Sequence, residues 1–190
     1  MIKKYITDQD FDNLDFSETD FEKAEYENCT FTGCIFTGAN LKDIMFSECI
    51  FNECDLSNSR IDNTSFRQVE FNDCKMLGLH FENCNPFLLA MHFCNCMLNF
   101  SSFYRLNLKG TSFAGPKLEE ADLTEANVSD SRFDDCDLTN AIFDRTDLTG
   151  ADLRTAFGFI IDPSGNTIKK AKFSRNNIQG LLSGFGIIIE

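Results

Sequence analysis

The sequence contains no tryptophan, only three tyrosines and only two histidines, and it has far fewer basic than acidic residues. No segment approaches the roughly 18 apolar residues of a membrane-spanning helix, and the amino-terminal segment has no apolar run of signal-peptide length. We therefore expect a soluble, cytoplasmic protein without a membrane partner. The 17 Lys and Arg against 30 Asp and Glu give a net charge of −13. Because a chain this acidic repels polyanions, we do not expect it to bind nucleic acid directly.

Residue patterns that carry catalysis or hold metals are also missing. The sequence has no glycine-rich phosphate loop, GxSxG elbow or HExxH motif, so we expect no enzyme activity, no cofactor and no small-molecule substrate. His92, Cys94 and Cys96, with Cys84, have a spacing that resembles a zinc site. The repeat described next turns Cys96 inward and leaves His92 and Cys94 outside, so we expect no metal. An odd number of cysteines, nine, without an export signal predicts free thiols.

What the sequence does contain is a repeat of five residues. Every fifth residue from Ile6 to Phe81, and again from Phe93 to Leu153, is aliphatic or aromatic. The position two residues before each of these centres is mostly Ala, Cys, Ser or Thr, and eight of the nine cysteines fall there. No acidic residue between Ile6 and Phe157 occupies either position. Two positions in five are therefore predicted to face a core and three to face water.

A period of five matches neither an α-helix nor a flat strand. It is typical of a chain that turns a corner every five residues, so that four repeats close a square coil of about twenty residues. Stacked coils pair backbone to backbone at about 4.8 Å, as strands do. No coil can bury its own inward face, but neighbouring coils cover one another.

These repeats resemble those of the pentapeptide repeat family, whose unit is A(D/N)LXX. The clearest copies are ANLKD (39–43), ADLTE (121–125), ANVSD (126–130), CDLTN (136–140), TDLTG (146–150) and ADLRT (151–155). The resemblance implies an all-β solenoid, a right-handed quadrilateral β-helix, over residues 1–157. We expect about seven coils and a rod of roughly 35 Å.

The repeat is interrupted between Phe81 and Phe93, which are two residues further apart than two repeats allow. Pro86 stands where a core residue is due, and Phe87, Leu88 and Leu89 follow it. We expect a bulge or kink in the rod near 83–92. The alternative is an apolar knob of Phe87, Leu88 and Leu89 that binds a partner.

Residues 158–190 are predicted to form a separate closing module. A turn at 163–166 leads to the last repeats and to a short helix, with Ser174 as N-cap and Gly184 at its end. Residues 185–189 form a predicted apolar strand, which is most simply covered by a second copy of the chain. This tail resembles that of the quinolone-resistance members of the family, the Qnr and MfpA type, which dimerise there. The resulting homodimer contact is predicted at Leu181, Leu182, Phe185, Ile187, Ile188 and Ile189.

The acidic residues lead to the functional hypothesis. Residues 5–157 contain 28 acids and 11 bases, a net charge of −17 over roughly 35 Å, and duplex DNA carries about −20 over that length. We expect a DNA mimic, with a partner-binding surface at Glu119, Glu120, Asp122, Glu125, Asp130, Asp134, Asp135, Asp137, Asp144 and Asp147. The resemblance to Qnr and MfpA proteins implies that the partner is gyrase or topoisomerase IV and that quinolone sensitivity is modulated. The alternative is a non-enzymatic scaffold that binds an unrelated protein.

Overall fold

The computed structural model describes residues 4–18 and 21–187, and they form the predicted right-handed, four-sided β-helix. Each side of a coil takes five residues. In the coil of residues 44–63, residues 44–48, 49–53, 54–58 and 59–63 form the first, second, third and fourth sides. The strands are β1 (Tyr5–Thr7), β2 (Asp10–Asp12), β3 (Glu25–Glu27), β4 (Thr30–Thr32), β5 (Met45–Ser47), β6 (Ile50–Asn52), β7 (Ser65–Arg67), β8 (Val69–Asn72), β9 (Met91–Cys94), β10 (Ser112–Ala114) and β11 (Arg132–Asp134).

All strand pairs are parallel. The first side is a four-stranded sheet in the order β1-β3-β5-β7, and the second side is a seven-stranded sheet in the order β2-β4-β6-β8-β9-β10-β11. The third and fourth sides are held by single parallel bridges, such as Ile35 to Asp55 and Asn40 to Arg60. Bridged partners lie four repeats apart along the chain, because four repeats complete one coil.

The core contains the two inward registers that the sequence predicts. The central residues are buried from Phe21 to Leu153, whereas Ile6, Phe11 and Phe16 at the amino-terminal end and Ile168 and Phe173 at the carboxyl-terminal end are only partly covered. On the second side the rings stack into one ladder with centroid distances of 4.7–5.5 Å and interplanar angles of 6–21°. Its members are Phe11, Phe31, Phe51, Phe71, Phe93, Phe113 and Phe133.

The small register has a second role besides its size. Cys54 donates its thiol hydrogen to the carbonyl of Phe31 (3.3 Å), and the Ser59 hydroxyl donates to the carbonyl of Phe36 (2.8 Å). These groups give core carbonyls of the preceding coil a side-chain donor, which Ala at the same position cannot supply. All nine cysteines are free and eight of them are buried, as the register predicts.

Corners place one residue at positive φ in most repeats, a conformation that favours Gly, Asn and Asp. Gly158 shows a further constraint. It has a φ of +77°, and a Cβ there would overlap Thr139. By contrast, Gly110, with a φ of +73°, has open space around it.

The irregular segment near 83–92 is a bulge confined to the first side. The ladders of the other three sides continue past the bulge, although the paired residues lie slightly further apart in sequence than elsewhere. The pairs are Glu70 with His92, Lys75 with Met97 and His80 with Ser102. The extra chain, residues 84–90, is held at both ends by backbone hydrogen bonds of 2.9 and 3.0 Å, from Asn85 to Thr64 and from Ala90 to Phe66.

The carboxyl-terminal end differs in detail from the prediction. It contains two 3₁₀ helices, Ile178–Leu181 and Ser183–Phe185, so Gly184 lies inside a helix and does not end one. The N-cap is Asn177 and not Ser174, because the Asn177 amide is drawn to the last coil, where it donates to the carbonyls of Leu153 (2.7 Å) and Ala156 (2.8 Å).

The predicted strand over 185–189 is not formed in its described part, since Phe185 ends a 3₁₀ helix and residues 186 and 187 are not extended into a ladder. Ile188 and Ile189 lie outside the described residues. Over the described ranges no helix has the length and apolarity to cross a bilayer.

Candidate protein-interaction surfaces

The ten acidic residues predicted to bind a partner do not share one face. The four-sided coil distributes them around the whole rod. Asp130 and Asp147 lie on the first side, Asp134 and Asp135 on the second, Glu119, Glu120 and Asp137 on the third, and Asp122, Glu125 and Asp144 on the fourth.

Four of these carboxylates are paired with cations. Glu125 lies between Arg105 (2.6 Å) and Arg145 (3.0 Å), one coil before and one coil after it, and hydrogen bonds from both arginines lower the pKa of Glu125. Arg145 also contacts Asp144 at 2.7 Å. The other two pairs are Asp134 with Arg132 (2.7 Å) and Asp130 with Lys109 (3.5 Å). Part of the predicted acidic surface is thus neutralised by the protein itself.

Three more carboxylates support the backbone. Asp122, Asp137 and Asp147 each accept a hydrogen bond of 2.8–3.0 Å from the backbone N–H two residues ahead. Such bonds stabilise a turn. Glu119, Glu120 and Asp135 have no cationic partner for their carboxylates within the described part of the chain, so they carry the most available charge of the predicted set.

A more one-sided acidic surface lies on the second side, and the sequence analysis missed it. Its amino-terminal half carries Asp10, Asp12, Glu53, Glu70 and Asp73, and residues 9–13, 29–33, 49–53 and 69–73 contribute no lysine or arginine. Counting acids along the chain cannot find this strip. Comparing the outward positions of every fourth repeat, which share one side of the rod, would have found it.

The opposite end of the same side is basic. Lys172 and Arg154 lie in the last two rungs, with Arg175 next to them, and both Arg154 (2.8 Å) and Lys172 (3.6 Å) contact Asp152. The hydrogen bond from Arg154 lowers the pKa of Asp152 to about 2. The second side is therefore polarised along the rod axis.

The predicted apolar knob is only partly assembled. Phe87 and Leu88 project from the bulge and are 63% and 61% exposed, while Leu89 turns back and packs against the core. Leu88 has a φ of +58°, which is unfavourable for a branched residue. The Arg67 guanidinium lies 5.4 Å from the centre of the Phe87 ring.

The predicted dimer residues also separate into two groups. Leu181 is buried against its own chain and Leu182 is partly buried, whereas Phe185 and Ile187 are 63% and 55% exposed. A cleft of about 300 Å³ lies beside Phe185, with Ile160 on its rim. Of the predicted contact residues that the structure describes, Phe185 and Ile187 are therefore the ones exposed to solvent.

The spacing that resembles a zinc site does not converge in the fold. Cys96 is buried in the core, His92 is exposed and Cys94 is half-buried on the outer surface of β9. Across residues 4–18 and 21–187, no group of three or more His, Cys, Asp or Glu is arranged to hold a metal ion.

Comparison with known proteins identifies the repeat and the fold. The family model described as "Pentapeptide repeat region" matches residues 24–86 and 88–181. One trypsin-treated form of QnrB1, a plasmid-mediated fluoroquinolone resistance protein, aligns over 100% of both chains with 19% identity and a TM-score of 0.84. A second trypsin-treated form aligns over 98% of this chain and 100% of its own, with 20% identity and a TM-score of 0.65. No curated protein sequence shows a significant match.

Proposed function

This chain belongs to the pentapeptide repeat family, and from that premise we propose that it is a non-enzymatic DNA mimic that binds a type II topoisomerase, gyrase or topoisomerase IV. It would act in the cytoplasm and modulate either the activity of the enzyme or its response to quinolones.

Charge per unit length is the observation that carries the proposal. The second-side ladder takes seven coil-to-coil steps from Asp10 to Asp152, which corresponds to about 34 Å. The same stretch of chain, residues 5–157, carries 28 acids and 11 bases, a net charge of −17. Duplex DNA of that length carries about −20. A basic groove that holds a duplex therefore meets a comparable charge on this rod.

The distribution of the acids supports the same reading. A DNA-binding groove contacts a duplex from several directions, and the acidic residues of the rod lie on all four sides. QnrB1, whose fold this chain shares, is itself described as a fluoroquinolone resistance protein. Basic residues that pair with acids reduce the local charge, so the unpaired Glu119, Glu120 and Asp135 are the residues we expect to contribute most.

The test is titration of the purified protein into a gyrase supercoiling assay, with and without a quinolone, at two salt concentrations. Salt-sensitive inhibition identifies an inhibitor, and rescue of supercoiling in the presence of drug identifies a protector. Charge reversal of Glu119, Glu120 and Asp135 to Lys should weaken the effect more than reversal of the paired acids Asp130, Asp134 and Asp144. No effect on supercoiling at high micromolar protein would refute the proposal.

We further propose that the active form is a homodimer joined at the carboxyl-terminal ends. The exposed Phe185 and Ile187 support this contact, and Leu181, Leu182, Ile188 and Ile189 complete the predicted set. Ile187→Asp should convert the dimer to a monomer in light scattering. Ile142→Asp on the fourth side, where the isoleucine is 50% exposed, is the matched control. A dimer that survives Ile187→Asp would place the contact elsewhere.

The alternative function is a scaffold that binds an unrelated protein through its apolar knob. The exposure of Phe87 and Leu88 favours it, since exposed apolar side chains that lie next to each other can form part of a protein-binding patch. Leu88→Asp should abolish capture of such a partner while Ile35→Asp, on the third side, should not. Unchanged capture by the Leu88 variant would exclude the knob as the contact.

A further inference from the structure

We propose that the second side of the rod is an interface between two copies of this chain, packed face to face with their axes antiparallel. This contact goes beyond the topoisomerase proposal and uses none of the carboxyl-terminal residues assigned to the dimer above.

The second side has the shape that such packing requires. It is one seven-stranded parallel sheet, and most outward side chains in its middle are short and uncharged. They are Thr30, Thr32, Asn52, Asn72, Cys94, Ser112 and Ala114. A shallow hollow of about 280 Å³ lies at its centre, beside His92. Short side chains in the middle of this side let the faces of two rods approach each other closely.

Charge complementarity identifies the occupant. The amino-terminal half of this side is acidic without a base, and its last two rungs carry Arg154, Lys172 and Arg175 against the single acid Asp152. Asp10 and Asp12 have no cationic partner among the described residues. A surface that is acidic at one end and basic at the other is complementary to itself when one copy is reversed. Parallel packing would instead place the rung of Asp10 and Asp12 opposite the same acidic rung of the second copy.

The ladder defines the register of this pair. It has nine rungs, beginning at residues 10, 30, 50, 70, 92, 112, 132, 152 and 172, so the rung of His92 is its midpoint. A two-fold axis across that rung places Asp10 opposite Lys172 and Glu70 opposite Ser112. Cys94 then faces Cys94 of the second copy. The one unfavourable pairing, Glu53 near Asp135, is at the corner of the rod, where solvent screens it.

The dimensions predict a weak, reversible contact. A strip about 38 Å long and about 10 Å wide covers about 400 Å² on each copy, or about 800 Å² in total, below the roughly 1,200 Å² of stable complexes. The net charge of −13 on each copy opposes association. At about 0.15 M salt the screening length is about 8 Å, so the charges that face each other directly decide the outcome.

A charge swap tests the proposal at physiological salt. Asp10→Lys and Lys172→Glu each place like charges opposite each other twice in the symmetric pair, so each should weaken association by about tenfold. The double variant restores opposite charges and should recover the wild-type association constant in sedimentation velocity. Lys117→Glu on the third side makes the same change in net charge as Lys172→Glu and should have a smaller effect. Double variants that associate as weakly as the single ones would overturn the proposal.

Cys94 provides a second readout that separates this contact from the carboxyl-terminal one. It is the one cysteine outside the buried set, and a short bis-maleimide should join two copies through it. We expect this cross-link to be lost in Cys94→Ser and Asp10→Lys, to return in the double charge variant and to persist in Ile187→Asp. If no cross-link forms where sedimentation shows dimers, or if these substitutions alter topoisomerase binding and leave the cross-link unchanged, the second side serves another partner and the proposal fails.

Discussion

Removal of one ring from the aromatic ladder tests how the rod is held together. Phe51 is fully buried and stacked between Phe31, with a centroid distance of 4.7 Å, and Phe71, at 5.1 Å. Replacing a buried Phe with Ala costs about 3–5 kcal/mol, and two stacked contacts, each of about 0.5–1.5 kcal/mol, place Phe51 in the upper part of that range. We therefore expect Phe51→Ala to lower the free energy of unfolding by about 4–5 kcal/mol. Phe51→Leu keeps an apolar centre and should cost about 1–1.5 kcal/mol.

The same ladder provides an internal control. Phe11 is at its amino-terminal end, is only partly buried, and stacks on one neighbour, Phe31, at 4.7 Å. With half the stacking contacts and less burial, Phe11→Ala should cost about 2 kcal/mol. Each coil contacts only the coils next to it, so the interior change interrupts two interfaces and the terminal change one.

Urea unfolding followed by circular dichroism measures both variants. The interior substitution should also lower the m-value if the two parts of the rod begin to unfold separately. Equal losses for Phe51→Ala and Phe11→Ala would refute the reasoning, because stability would then not depend on the number of stacked neighbours.

Three other outcomes follow from individual residues. In the native protein only Cys94 should react with a maleimide, since burial protects the other thiols and raises the pKa of Cys49 to about 12; mass spectrometry showing a second native label would contradict this. Gly158→Ala should cost about 3 kcal/mol or more and Gly110→Ala about 1 kcal/mol, because both strain a positive φ but only the first adds an overlap; equal losses in thermal unfolding would contradict the overlap. The pKa of Asp152 lies near 2, below its ordinary value of 3.8, so its ion pair stabilises the fold above about pH 4 and is lost as the pH falls towards 2. Asp152→Asn should therefore lose less stability than wild type between pH 5 and pH 2 in urea unfolding.

The inward registers could be predicted because they depend only on local spacing. A residue at a centre faces the core wherever it lies along the chain, and every centre from Phe21 to Leu153 is buried. The small register could be predicted for the same reason. Its hydrogen bonds to carbonyls of the preceding coil could not, since they require knowledge of how coils stack.

The surface was harder to predict because its contacts join residues of neighbouring coils, which are distant along the chain. Glu125 pairs with Arg105 and Arg145 across two coil boundaries, and nothing in the local sequence indicates this. The bulge has no register of its own, so the sequence could not separate the inward Leu89 from the outward Phe87 and Leu88. At the carboxyl end, contacts of Asn177 with the last coil override the local helix signals.

The bulge also bears on how such a rod can evolve. The ladders of the second, third and fourth sides continue in register past the bulge. The bulge on the first side adds only two residues to the chain. Length added on one side therefore alters the outline of one coil without shifting the residues that any other coil presents. Each side of a coil is in this sense an independent place for insertion, and recognition can be gained or lost there while the coils before and after it remain the same.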